Sequence, residues 1–109
     1  MYALQKGDIN EQGFLSDPEQ WTPDVAIAMA DAEGVDLTET HWVVLNAIRA
    51  FYEENEAPAS YHVLCQHIDD ALRPMKYSCI HVIKRLFPRG GLKQASRIAG
   101  VPDHFCFGC

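Results

Sequence analysis

Apolar residues recur along most of this chain at intervals of three and four, the spacing that places side chains on one face of a helix. The clearest stripe is Trp42, Leu45, Ile48 and Tyr52, which runs until Glu53, Glu54 and Glu56 give way to Pro58. Thr38 stands before it as a capping hydroxyl. An earlier helix starts at Thr22-Pro23-Asp24, a cap, then a proline at the first helical position, then an acid near the positive end of the dipole; Gly34 is its stop. Downstream, Tyr61, Leu64, Cys65, Ile68 and Leu72 share a face until Arg73-Pro74 breaks the run. Cys79, Ile83, Leu86 and Phe87 form a fourth group, ended by Pro88 and Gly90-Gly91. A short fifth carries Leu92, Ala95 and Ile98 and closes at Gly100 and Pro102.

The two ends do not follow this period. Between Tyr2 and Leu15, short partly alternating runs surround turn clusters at Lys6-Gly7-Asp8 and Glu11-Gln12-Gly13, which predicts a β-hairpin or small meander. After Pro102 seven residues remain without periodicity and read as a mobile arm. The pattern therefore predicts an α+β fold, a small N-terminal β element packed on about five helices. Residues 1–102 are expected to form a single domain and residues 103–109 a flexible C-terminal arm. A chain of 109 residues is the right size for one core.

Composition narrows the setting. Hydrophobic residues make up 48% of the chain, yet no apolar run approaches the roughly 18 to 20 residues of a membrane helix. The opening "MYALQKGDIN" lacks the basic region and apolar stretch of a secretory signal, so cytoplasm is the expected location. The net charge of −6 conceals a segregation. Met1 to Leu72 holds fourteen acids and two bases, whereas Arg73 to Arg97 holds seven bases and no acid. Such a dipolar chain can orient an approaching partner, and Arg85, Arg89, Lys93 and Arg97 are the expected docking face.

The four cysteines carry the candidate chemistry. Cys65 and Cys79 fall on apolar stripes and are expected to be small buried hydrophobes rather than a disulfide, since a reducing compartment keeps thiols apart. Cys65-Gln66-His67 and Cys79-Ile80-His81 do not make a metal site, because residues two apart on a helix point to nearly opposite sides. His41 and His62 are read as structural or exposed polar residues. Cys106 and Cys109 are different, lying past the last helix in a segment too short to bury much.

A Cys-x-x-Cys pair admits three chemistries. It can give two thiolates to zinc, although only His104 is near and structural zinc normally takes four ligands. It can cycle between dithiol and disulfide, although the usual setting at a helix N-terminus after a strand is missing. It can carry a sulfane sulfur as a persulfide, for which a thiol on an arm has the needed reach. The terminal carboxylate of Cys109 opposes its own thiolate, and Lys93, Arg89 or Arg97 would offset this if the arm folds back. No hydrolase triad, phosphate loop or paired-carboxylate motif is present. The helices around Tyr61–Leu72 and Met75–Phe87 also allow a helix-turn-helix nucleic-acid regulator presenting Lys76, Lys84 and Arg85.

The blocks "GFLSDPEQWTPDVAIAMADAEGVDLTETHWVVLNAIRAFYEE", "APAS" and "LFPRGGLKQASRIAGVP" resemble the TusE/DsrC/DsvC family of sulfur-relay proteins, from about Gly13 to Pro102. The resemblance implies an α+β fold with a mobile arm that carries a cysteine after a glycine, and Gly108-Cys109 matches that dipeptide. It implies a sulfurtransferase-type carrier rather than a stand-alone enzyme, with no cofactor and no metal. Its partners would be sulfur-donor and sulfur-acceptor proteins, with an indirect link to tRNA 2-thiolation. In the respiratory DsrC branch a second cysteine on the last helix bridges to the arm. This chain has Ser96 there, which favours the TusE-like relay over the sulfite-reductase partner role. The tail departs by two extra residues and by Cys106, so Cys109 is the expected acceptor and Cys106 an auxiliary or resolving thiol.

Overall fold

The computed structural model describes residues 9–10, 13–55 and 57–109. Five helices follow one another: α1 Pro23–Ala32, α2 Glu39–Asn55, α3 Tyr61–Leu72, α4 Cys79–Leu86 and α5 Leu92–Ile98. Two short strands, β1 Ala59–Ser60 and β2 Cys106–Phe107, pair in parallel, with Ala59 opposite Cys106 and Ser60 opposite Phe107. This is the α+β architecture expected. Most of the predicted N-terminal hairpin lies outside the described residues; within them, Ile9 and Leu15 form one antiparallel bridge.

Local chemistry sets the helix ends. Thr22 Oγ accepts the Val25 N–H at 3.2 Å ahead of Pro23, and α1 stops before Gly34, whose φ of 77° is easily reached only without a side chain. Ser60 Oγ accepts the Val63 N–H at 3.2 Å and caps α3. At α2 the arrangement is reversed, because the Thr38 hydroxyl and N–H both donate to His41 Nδ1, at 2.7 and 3.1 Å. The opposite ring nitrogen of His41 then donates to the Leu86 carbonyl at 2.8 Å, tying α2 to the end of α4. His41 is thus a buried structural residue, and His62 is exposed.

Helix α2 is the spine, burying Val44, Leu45, Ala47 and Ile48 against α3 and α5. Leu64, Ile68 and Leu72 of α3, Val82 and Ile83 of α4, and Leu92, Ala95 and Ile98 of α5 complete the core. Arg49 locks the loops at one end, donating from Nη1 to the carbonyls of Pro18, Ala99 and Gly100 at 3.2, 3.3 and 3.2 Å while its guanidinium lies 4.8 Å from the Trp21 ring. The Trp21 indole N–H donates to the Ile98 carbonyl at 2.8 Å and lies so close to Gly100 that no Cβ fits there.

Cys65 and Cys79 are buried, as their stripes predict, but they are not separate. The two stripes face each other across α3 and α4, and the structure joins the pair as a disulfide with Cα atoms 5.7 Å apart. The expectation of two independent buried thiols is corrected by that packing. The backbone N–H of Cys79 also donates to Asp69 Oδ1 of α3 at 2.6 Å, a second tie between the same helices.

Candidate functional site: the C-terminal arm and its cleft

After Val101 the chain folds back across the bundle. Phe105 sinks into the core at 2% exposure, edge-on to Tyr52 and Phe51 of α2 with ring centres 5.3 and 6.1 Å away. Its carbonyl accepts the Ala59 N–H at 2.7 Å, which starts the parallel pairing of β1 with β2. The arm was expected to bury little, and one aromatic overturns that: a single phenyl ring finds a ready apolar slot at the junction of α2 and α3. Beyond this anchor the chain is open. Phe107, Gly108 and Cys109 are exposed and Cys106 is half-buried.

The two arm cysteines are together. The structure joins Cys106 and Cys109 as a disulfide across a turn in which Gly108 takes a φ of 83°. Both line a cleft of about 240 Å³ with Gly108, Phe14, Asp103, Lys93 and Ser96. The position singled out by sequence on the last helix therefore faces the arm. Ser96 is buried at 2% exposure. No group of three or more His, Cys, Asp or Glu residues converges on a metal-sized site among the described residues. His104 instead lies beside Asp103 at 3.6 Å.

The four expected docking cations are dispersed. Lys93 is exposed and lines the arm cleft, and Arg89 is exposed in the turn before α5. Arg85 belongs to a second cleft of about 410 Å³, shared with Lys76, Tyr77, Ser78 and His81. Arg97 departs from the expectation. Its guanidinium makes a two-pronged contact with Glu33 at 2.7 and 3.3 Å, with only 15% of its side chain exposed, so its charge is spent inside the fold. Gln94 joins the same network, donating to Glu33 Oε1 at 2.9 Å and accepting the Arg89 N–H at 2.8 Å.

Sequence reasoning missed Phe105 as an anchor and Gln94 as a core residue. Phe105 has no periodic neighbour to announce it. Gln94 is polar, and its burial becomes tolerable only because Glu33 and Arg89 satisfy its amide. The helix-turn-helix reading keeps its connection, since α3 and α4 are joined by the Arg73–Met75 turn and tied to each other by Cys65 and Cys79.

A family model described as DsrC like protein matches residues 2–107, a span that includes Cys106 and leaves Cys109 outside. The sulfurtransferase TusE of Yersinia pseudotuberculosis is 36% identical over 95 residues, covering 87% of each chain. TusE of Photorhabdus laumondii is 35% identical over 102 residues, or 94% of this chain and 91% of the other. Among solved structures, the oxidised gamma-subunit of the dissimilatory sulfite reductase (DsrC) from Archaeoglobus fulgidus aligns with a TM-score of 0.74 at 33% identity, over 90% of both chains. The NMR structure of Allochromatium vinosum DsrC gives 0.68 at 36% identity, over 86% of this chain and 83% of the other. With a family match over nearly its whole length and relatives this similar, the chain belongs to the DsrC-like protein family.

Proposed function

We propose that this protein is a sulfur-relay carrier that accepts a sulfane sulfur as a persulfide on Cys109 and passes it to a second protein. The observation that carries this reading is the arm itself: two cysteines at the open end of a segment held by one aromatic anchor, beside a cleft that reaches α5. In the loading step the Cys109 thiolate attacks the outer sulfur of a donor persulfide. A bond forms from Cys109 Sγ to that sulfur, the donor's own sulfur–sulfur bond breaks, and the donor leaves as a thiolate. Loading starts from the dithiol, so a dithiol reductant first opens the Cys106–Cys109 disulfide; delivery is then the same exchange with an acceptor nucleophile, and neither exchange itself consumes an oxidant or reductant.

Reach follows from the anchor. With Phe105 docked, four residues extend at most about 14 Å, whereas release back to Pro102 frees seven residues and about 25 Å. Cys106 serves as the resolving thiol. Its attack on the inner sulfur of a Cys109 persulfide forms the Cys106–Cys109 disulfide and releases hydrosulfide, which returns an unclaimed carrier to the joined state. Lys93, Arg89 and Arg85 remain as exposed cations for docking donor or acceptor proteins, and Arg97 supports the fold. We place the relay in the cytoplasm, TusE-like, with tRNA 2-thiouridine as its distant product.

Incubation of the reduced protein with a cysteine desulfurase and cysteine, followed by intact mass spectrometry, tests the reading: the protein should gain about 32 Da, one sulfur atom. Cys109→Ser should abolish the gain and Cys106→Ser should prolong it. Loss of the adduct in neither variant refutes an arm carrier. The family match ending at Phe107 favours a second reading, with Cys106 as first acceptor; then Cys106→Ser is the variant that stays unloaded. A third reading, a DsrC-like partner of a sulfite reductase, draws on the likeness to the Archaeoglobus fulgidus subunit. Ser96 weighs against it, because a hydroxyl cannot form the arm-to-helix disulfide. Co-purification with a sulfite reductase decides between the two roles.

A further inference from the structure

Among the described residues, two buried side-chain polar atoms lack a hydrogen bond: Arg49 Nε and Ser96 Oγ. The first belongs to a guanidinium whose other nitrogens hold three carbonyls and Glu53. Ser96 has no such compensation. A buried hydroxyl without a partner carries its full desolvation cost, and alanine would occupy the site without it. The other polar groups around it on α5 are satisfied, since Gln94 and Arg97 both engage Glu33.

The position of this hydroxyl gives it a use. Ser96 lines the arm cleft together with Cys106 and Cys109, and Lys93 stands one turn earlier on the same helix. A disulfide offers a hydroxyl only neutral, weakly accepting sulfur, and the two cysteines are joined here. A persulfide anion is a charged acceptor, for which an O–H donor makes a stronger, charge-assisted bond. The space suffices: one water's share of liquid volume is about 30 Å³, against a cleft of about 240 Å³. The charged groups facing it are Lys93, Asp103 and the terminal carboxylate of Cys109, with His104 beside Asp103. Two of these are acids that oppose an anionic sulfur, so a donor and a cation on α5 have something to offset.

We propose that Ser96 and Lys93 form a seat for the sulfane sulfur, Ser96 Oγ–H donating to the outer sulfur of the arm persulfide and the Lys93 ammonium balancing its charge. This rests on the carrier reading and deepens it. The seat holds the cargo against loss: while the outer sulfur is bound, attack of the Cys106 thiolate on the inner sulfur, which would form the Cys106–Cys109 disulfide and expel hydrosulfide, is disfavoured. Ser96 and Lys93 are positioning residues, and neither forms a bond to sulfur.

The test reduces the full chain with a thiol reductant, removes it, loads the chain with inorganic polysulfide, removes the excess, and follows decay of the adduct of about 32 Da, located on the tail by peptide mapping. Ser96→Ala should lose the sulfur about tenfold faster than the parent, the scale of one hydrogen bond to a charged group. Lys93→Gln should lose it several-fold faster. The pH midpoint for alkylation of the persulfide, measured in whichever single-cysteine arm variant holds the sulfur, should rise by about one unit with Ser96→Ala. A hydroxyl with a merely structural role would not move that midpoint. Removing an unsatisfied group should leave the melting temperature of Ser96→Ala unchanged or higher, which excludes misfolding as the cause. Equal decay and equal midpoints in parent and Ser96→Ala, with both loading normally, overturn the seat. A parent that never gains the adduct overturns the carrier reading, and the seat with it.

Discussion

Replacing Phe105 with alanine should release the arm without unfolding the protein. Burying a phenyl ring removes on the order of 150 to 200 Å² from water, worth about 4 to 5 kcal/mol at roughly 25 cal/mol per Å². The backbone bonds of Phe105 to Ala59 and Pro102 add about 1 kcal/mol each. Ordering Asp103 to Phe107 costs about 1 to 2 kcal/mol per residue, so the docked arm is favoured by a small margin, about 2 kcal/mol or less. Loss of the ring, about 3 to 5 kcal/mol in a typical core, exceeds that margin. The arm then undocks, and the global loss of stability is capped near 2 kcal/mol because unfolding starts from the undocked state. Urea denaturation followed by Trp21 and Trp42 fluorescence measures the loss. Alkylation of reduced Cys106 measures the release and should accelerate by up to roughly thirtyfold, the factor that 2 kcal/mol represents. A full loss of 3 to 5 kcal/mol with unchanged alkylation would show that the arm cannot open by itself. No change in either would show that Phe105 is not the anchor.

Three further outcomes follow from the packing. Gly100→Ala puts a Cβ into the Trp21 ring at a φ of 73°, and should lower stability by about 2 kcal/mol or more, read as a fall in melting temperature. Glu33→Ala leaves Arg97 and the Gln94 amide without their shared partner. It should cost about 3 kcal/mol in a urea titration, while Glu33→Gln, which keeps one acceptor oxygen, should cost less. Reduction of the Cys65–Cys79 pair, separated by 14 residues in sequence, should lower the urea midpoint by the equivalent of up to about 3 kcal/mol. In a Cys106→Ser/Cys109→Ser background that change isolates the buried pair, and an unchanged midpoint would show that it contributes no constraint.

The helical body was legible because its signals are local. Thr22 caps where a threonine before a proline should, Gly34 ends its helix, and Leu45, Ile48, Leu64, Ile68 and Ile83 occupy the core as their spacing requires. Thr38 shows the limit of such reading: it meets His41 at the start of α2 through both its hydroxyl and its backbone N–H, a contact made with a ring whose far side is held by Leu86. The strand pair was not legible. Each strand has two residues, too few to alternate, and β2 exists because Phe105 finds a slot between residues more than fifty positions earlier. The Cys65–Cys79 contact stood in between. Both residues were on apolar stripes, and that those stripes face each other depends on the turn at Arg73–Met75. Of the docking cations, Arg97 was unreadable, since an arginine committed to Glu33 and one free in solvent look the same in sequence.

A sulfur carrier faces opposed requirements, and in this chain they fall on different residues. Delivery needs a thiol that can leave its own protein, which favours a tail with one anchor rather than several. Retention needs a place where a reactive anion is held until a partner arrives, which favours a structured surface. Helix α5 serves the second need without compromising the first, because its apolar face is fixed in the core by Leu92, Ala95 and Ile98 while Lys93 and Ser96 meet the arm. The binding between them is conditional on cargo. A joined Cys106–Cys109 pair gives Ser96 nothing charged to bond, so the joined arm is held by Phe105 and its pairing with β1, and a loaded arm by these and the seat together. A partner that takes the sulfur leaves Cys109 a thiolate shorter by one sulfur–sulfur bond, about 2 Å, so the atom that Ser96 and Lys93 held departs with the partner and the emptied arm keeps only its anchor and strand pairing.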